Sequence, residues 1–403
     1  MEGPRASRRG DSRRLDAGGE TMSDVKAALV LEDGTIFEGK AFGKVGQAFG
    51  ETVFYTGVVG YQEILTHPSY CQTLVVMTYP IIGCYGVNEE DDESPQAQAR
   101  GLIVREYSPY FSNWRATGSL EDFLKKRGIV GIREVDTRAV AVYIRDHGEM
   151  HGAIASGRFD AAQVVKRLKA GPSSFQSDLV REVTWEGVRK PAGAEERRLV
   201  ALNLGVTESL LAQLAALGCT VEVVRYTADA DTILKMKPHG VIVAGGPGDP
   251  RMAAYAIKTA RGLLGKAPLL GIGLGHQILA LALGCRIKRM KAGHHGVNYP
   301  VHDQVAGTSA ITAQHHSFVV AGESLPKTVE ITHKNLNDGT VEGIRSKEFY
   351  AASVQFHPYP DEMDRPNAIL ARFCGARPTG RPRGRKPRRA PRKRSTRSRK
   401  RHA

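Results

Sequence analysis

The chain has 403 residues, 41% of them hydrophobic and 25% charged, with a formal net charge of +15. Such a length can bury two ordinary domain cores, and without a run of about 18 apolar residues it offers no membrane-spanning helix. Fourteen Lys or Arg lie between Arg377 and Arg401, and no acidic residue follows Asp364. The nucleic-acid signature suggested by the net charge therefore belongs to the tail, and the body is close to neutral.

Residues 1–24 mix Arg5, Arg8, Arg9, Arg13 and Arg14 with Glu2, Asp11, Asp16 and Glu20. They lack the apolar segment of a secretory signal and read as a disordered leader, with Met22 as an alternative start. The tail, 376–403, is interrupted by Pro378, Pro382, Pro387 and Pro391, which rules against a long helix. It reads as a solvated extension; salt-dependent contact of 377–401 with RNA or another polyanion is the functional alternative. The cysteines Cys71, Cys84, Cys219, Cys285 and Cys374 are odd in number and show no CxxC spacing. That pattern argues against a metal site or a disulfide framework and suits a reducing cytoplasm.

In chain order, Ala27 to Phe37 alternates around an Asp33-Gly34 turn and predicts a β-hairpin. Short strands follow at Glu51 to Tyr55 and Thr73 to Thr78, with helices at Leu120 to Lys126 and Thr137 to Asp146. Residues 25–185 thus form a mixed, β-rich α/β domain without a regular βαβ rhythm. The polar stretch 186–198, containing KPAGAEERR, predicts a linker. From 199 to 375 the rhythm changes. Strands at Leu199–Leu204, Val221–Val224, Gly240–Ala244 and Pro268–Ile272 alternate with helices at Glu208–Leu217, Thr227–Met236, Met252–Leu264 and His276–Leu283. This α/β alternation predicts a doubly wound, mostly parallel sheet.

Two Gly-rich turns stand at carboxyl ends of predicted parallel strands, where such sheets place ligands. In the first, Gly245-Gly246-Pro247-Gly248-Asp249-Pro250, glycines let backbone amides approach a substrate, and a free N–H there can stabilise an oxyanion. The second, Gly271-Ile272-Gly273-Leu274-Gly275-His276-Gln277, runs from an apolar strand directly into a helix, the layout of a nucleophile elbow. A dinucleotide fingerprint is rejected: the sixth position is His276, not glycine, and the turn follows the fourth strand of its domain. Further on, the strand Ala351–Phe356 leads into His357-Pro358-Tyr359. Residues two apart share a strand face, so His357 and Tyr359 point the same way. A base at His357 needs an orienting partner, usually a carboxylate, at that place.

Taken together, GGPGDP, GIGLGHQILALALG and QFHP resemble the class I glutamine amidotransferases. AGHHGVNYPV, ITAQHHSFVV and THKNLNDGTVEGI narrow the resemblance to carbamoyl phosphate synthase small subunits, as do LVLEDGTIFEGKAFG, GYQEILTHPSYCQTLVVMTYPIIGCYGVN and VDTRAV in the first half. The similarity runs from Val25 to Phe373.

The resemblance implies a subunit that hydrolyses glutamine through a Cys-His-Glu triad. Its ammonia passes to a large subunit, the partner that uses ATP, magnesium and bicarbonate to make carbamoyl phosphate for arginine and pyrimidine synthesis. No cofactor is implied in this chain. Glutamine-binding positions carried over are Ser69, Gly246, Gly248, Leu274, Gln277, His315, Ser317 and Phe318, with Gly246 and Leu274 at the oxyanion hole and His357 as the triad base. The departures fall on the chemistry. Gly273 stands where the family has its cysteine, Tyr359 where it has its glutamate, and His315-His316-Ser317-Phe318 where it has Asn-His-Gly-Phe. Thr207-Glu208 replaces Lys-Arg after the first strand of this domain; Cys285 lies about three helical turns beyond the elbow, and Asp361 is a further candidate carboxylate. The expectation is a small subunit that holds the large subunit and whose glutaminase is lost or weak, leaving open which nitrogen donor the complex uses. The alternative is a non-enzymatic scaffold, glutamine sensor or polyanion-binding protein on the same fold.

Overall fold

The computed structural model describes residues 24–171, 176–189, 197–360 and 364–375. The leader with Met22, the basic tail, Asp361 and residues 190–196 of the linker lie outside these described residues.

The first half closes into a barrel. Its strands run Lys26–Leu31, Ile36–Gly43, Val130–Arg133, Gly101–Ile103, Thr73–Met77, Gln47–Tyr55 and Met150–Ser156, and the last pairs back to the first. The hairpin around Asp33-Gly34 forms because Leu31 N–H reaches Thr35 O and the Asp33 carboxylate takes the Thr35 N–H. Parallel pairings of Thr73–Met77 with its neighbours on both sides bury that strand completely, as expected for parallel strands with both faces covered. The helix Ala161–Ala170 starts at the Asp160 cap and lays Val164 and Leu168, one turn apart, against the first and last strands.

The second half is a ten-stranded sheet. Its parallel core consists of Cys219–Arg225, Arg197–Asn203, Gly240–Ala244, Leu269–Ile272 and Ala351–Val354. Alternate residues of Arg197–Asn203 enter opposite cores. Leu199 and Ala201 meet the helix Glu208–Ala216, while Val200 and Leu202 meet the helices Ala254–Leu263 and Leu274–Ala282. Helices therefore cover both faces of this α/β sheet.

Three local expectations change. Gly187–Arg189, placed in the linker, is an edge strand paired antiparallel with Val221–Val223. The helix expected over Thr227–Met236 is only Ala230–Lys235, because the Asp229 side chain caps it by accepting the Thr232 N–H. The helix expected from Met252 begins at Ala254, after a 3-10 turn at Pro250–Met252 capped by Asp249. Beyond the parallel core, a long ribbon, Ile287–Asp303 with Thr308–Val320, brings His315 over the elbow and against the barrel domain.

Candidate functional site

The strand Leu269–Ile272 is fully buried and ends at Gly273, whose backbone (φ 59°, ψ −120°) turns directly into the helix Leu274–Ala282. The flanking glycines are there for space. A Cβ on Gly275 would collide with Val243 O, and one on Gly271 would lie 2.5 Å from Gly275 O. Gly273 itself is uncrowded: an added Cβ would sit in ordinary contact, 3.6 Å from His357 Cε1 and 3.7 Å from Nε2. Only its positive φ favours glycine. The elbow is thus a tight strand-to-helix turn with no side chain at its centre.

The Gly245–Gly248 turn comes within reach of this elbow; a Cβ on Gly246 would meet Leu204 O at 2.5 Å and Leu274 Cδ2 at 2.7 Å. Asp249 secures the end of the turn by accepting the Arg251 N–H at 2.9 Å. Ser69 of the barrel domain donates its hydroxyl to Gly246 O at 3.3 Å. The Tyr70 hydroxyl lies 2.9 Å from His315 Nδ1. The cleft is therefore built from both halves of the chain.

All eight residues carried over as glutamine-binding (Ser69, Gly246, Gly248, Leu274, Gln277, His315, Ser317 and Phe318) line one cavity of about 30 Å³. Gln277 is committed inward, its Nε2 donating to Phe318 O at 2.7 Å and Gln355 Oε1 at 3.0 Å, while its own Oε1 has no partner. Ser317 Oγ lies 3.4 Å from His295 Nε2, which is 3.1 Å from the buried Glu149 carboxylate of the barrel domain.

His357 is held by its backbone, whose N–H donates to Ala313 O at 2.9 Å. Burial keeps its imidazole neutral, pushed down to about 4. Its ring stands 6.1 Å from that of Tyr359, the two planes 28° apart, so the shared direction expected of these residues holds. Tyr359 lies against Glu93, a buried carboxylate of the barrel domain that burial pushes above the usual range. Glu93 also accepts the Ser209 N–H at 3.2 Å, at the start of the helix whose cap is Thr207. Cys285 is buried in an apolar cluster and its thiol is pushed up to about 11 by desolvation, which disfavours the thiolate a nucleophile needs.

Sequence reasoning passed over His67 and Glu93. His67 sits within the quoted THPSY segment, and its ring packs 4.6 Å from His357 and 4.8 Å from His315. Neither residue has a local pattern; each acquires meaning only from packing across the two domains.

Residues 29–154 match the carbamoyl-phosphate synthase small chain CPSase domain, and residues 200–374 match the class I glutamine amidotransferases. The chain is 46% identical over 348 residues to the carbamoyl phosphate synthase small chain of Syntrophotalea carbinolica, covering 83% of this chain and 93% of that protein. It belongs to the carbamoyl phosphate synthase small-chain family. The small chain of Chlorobaculum tepidum is 45% identical over 342 residues, covering 84% of this chain and 93% of its own. The pyrimidine-specific small chain of Bacillus subtilis is 42% identical over 335 residues, covering 83% and 91%. Among solved structures, a glutamine amidotransferase from Thermotoga maritima is similar at 18% identity and a TM-score of 0.33, covering 40% of this chain and 76% of that one. Among the described residues no helix is long and apolar enough to cross a membrane.

Proposed function

We propose that this small chain acts as the non-hydrolysing subunit of a carbamoyl phosphate synthase, holding a large subunit that takes its nitrogen from free ammonia. One observation carries the reading: the residue facing His357 at the elbow is Gly273, with no side chain to attack a carboxamide. Loss of an essential nucleophile costs about a millionfold in rate where it has been measured, and neither Cys285 nor any other buried thiol stands at the elbow.

Both family domains are formed. Barrel, parallel sheet and elbow are all formed, and Ser69, Tyr70 and Glu93 tie the halves together at the cleft. A binding surface for a large subunit is the part of the family role that needs no glutaminase. Tyr359 supports the same reading, because a phenol turned toward Glu93 gives His357 no carboxylate charge.

The test is to co-express the chain with a large subunit of this family and compare carbamoyl phosphate formation from glutamine and from ammonium chloride. Ammonium should support synthesis and glutamine should not. Strong glutamine-dependent synthesis would sink the proposal, and failure of the two chains to co-purify would point to a free-standing scaffold.

A further inference from the structure

His67, His315 and His357 come from three separate segments, yet one ring nitrogen of each lies within 4.8 Å of the other two. Their ring centroids are 4.6, 4.8 and 4.9 Å apart. All three side chains are buried, and burial holds each imidazole below its ordinary range, so the cluster is neutral. Three buried imidazoles suggest a metal at first sight. The hydrogen bonding argues otherwise.

His67 Nδ1 accepts the Ser69 backbone N–H at 3.1 Å, where it caps the 3-10 turn Pro68–Tyr70. A nitrogen that accepts a bond carries no proton, so the proton of this neutral ring is on Nε2. That Nε2–H is buried and has no partner. Buried donors are rarely left unmade, and an exception points to an absent small molecule. A protonated nitrogen cannot ligate a cation. With the three nitrogens within 4.8 Å of one another, a molecule at their centre lies at most about 2.8 Å from each, inside hydrogen-bond reach.

The ligand must therefore accept a hydrogen bond from His67. It can donate to the other two rings, because Tyr70 O–H can either donate to or accept from His315 Nδ1, and the hydrogen bonds of His357 among the described residues are made by its backbone. The three imidazoles are held neutral, so they offer no charge to hold an anion. Ammonium, with four N–H groups and no lone pair, faces a donor and finds no carboxylate among the three rings. Neutral ammonia has one lone pair and three N–H groups, and so matches one fixed donor and two adaptable rings.

Small cavities adjoin the cluster on two sides. Gly273 projects nothing toward His357. Cavities of about 30 Å³, touching His315, Gly246 and Leu274, and about 10 Å³, touching His357 and Gly245, flank the elbow. Each is on the scale of one or two water-sized molecules.

We propose that the space vacated at Gly273, walled by His67, His315 and His357, is a binding site for neutral ammonia. The proposal rests on the ammonia-dependent reading for its use, and on the cluster alone for its existence. Binding involves no covalent step; the proton of ammonium stays in solvent.

The variant that isolates the orphan donor is His67→Asn. Its side-chain oxygen still caps the Ser69 N–H while the Nε2–H is withdrawn. In the complex with a large subunit, ammonium-driven synthesis is measured at fixed pH and expressed against free NH3. KM for NH3 should rise about three- to tenfold in His67→Asn, the worth of one hydrogen bond, and in His315→Asn. Synthesis at saturating ammonium checks that the complex is intact. An unchanged KM in both variants overturns the site. Separately, the imidazole NMR signals of the full chain are followed during ammonium chloride titration at pH 9. A saturable shift, lost in His67→Asn, supports the site even if the complex makes no carbamoyl phosphate, an outcome that would fault only the proposed function. Stoichiometric zinc uptake that depends on His67 would overturn the ammonia assignment in favour of a metal.

Discussion

His357 faces the bare Cα of Gly273 across a gap that one thiol would fill, with a built Cβ 3.7 Å from the imidazole Nε2. Gly273→Cys is therefore expected to set a sulfur beside a neutral, buried base. The substitution carries a backbone cost, since a non-glycine residue at φ 59° is strained by about 1–3 kcal/mol. The predicted outcome is a lower melting temperature together with new covalent labelling by an electrophilic glutamine analogue, located at residue 273 by mass spectrometry. Labelling of the unsubstituted chain at any residue would show that a nucleophile has been missed.

The elbow was readable because its signals are local: an apolar strand, glycines at alternate positions and an immediate helix. The parallel sheet was readable for the same reason, its strands and helices alternating at short range. Closure of the barrel was not, because it depends on pairings such as Glu51 with Thr73 and Ala27 with Ser156, set by contacts far apart in sequence. Gly187–Arg189 misled because three polar-flanked residues can form an edge strand only when a neighbour, here Val221–Val223, offers its free side. His67 and Glu93 were invisible as site residues for a related reason. Each lies in the barrel half and reaches the cleft only when the two domains meet.

A second buried histidine gives a pH prediction. His294 Nε2 lies 3.1 Å from Asp338, and Nδ1 lies 3.6 Å from Glu342. Desolvation opposes its charge, but the bonds to Asp338 and Glu342 win and push it up to about 9. A raised folded-state value means the stabilisation is complete below the unfolded value of about 6.5 and is lost as pH rises through 9. The difference corresponds to about 3 kcal/mol at most. Denaturant unfolding of the native chain should lose that increment between pH 6.5 and 9.5, while His294→Gln should show a flatter profile. Identical slopes would remove the imidazolium from the account.

The barrel domain displays aromatic side chains to solvent. Trp114 is 92% exposed and Tyr110 85%, and the short strand pair Ile81–Ile82 with Glu106–Tyr107 carries the nearby exposed Ile81. Large exposed aromatics mark interaction sites and dominate binding energy where they are buried by a partner. Under the proposed function that partner is the large subunit. Trp114→Ala should weaken the complex at least about tenfold, the effect of an ordinary hot spot, without changing the melting temperature of the isolated chain. Unchanged affinity by titration calorimetry would move the interface elsewhere.

Tyr359 and Glu93 give the sharpest test of the proposed loss of the triad. At the position where the sequence resemblance places an orienting carboxylate the chain carries a phenol, and that phenol lies against a buried carboxylate from the other domain. Tyr359→Glu restores the family residue but sets two carboxylates together in a place where burial already raises Glu93. Like charges so placed hold on to a shared proton. The repulsion is absent while that proton is bound and grows as pH rises through the raised value. Tyr359→Glu should therefore destabilise the chain by about 1–3 kcal/mol at pH 8, in the range of a newly buried charge, and by less at pH 5. Adding Glu93→Gln should recover most of the loss at pH 8. In the Gly273→Cys background the same pair should also raise glutamate release above that of Gly273→Cys alone, because His357 then regains a carboxylate partner. If Tyr359→Glu is equally stable at both pH values and indifferent to Glu93→Gln, the two side chains do not share the cleft.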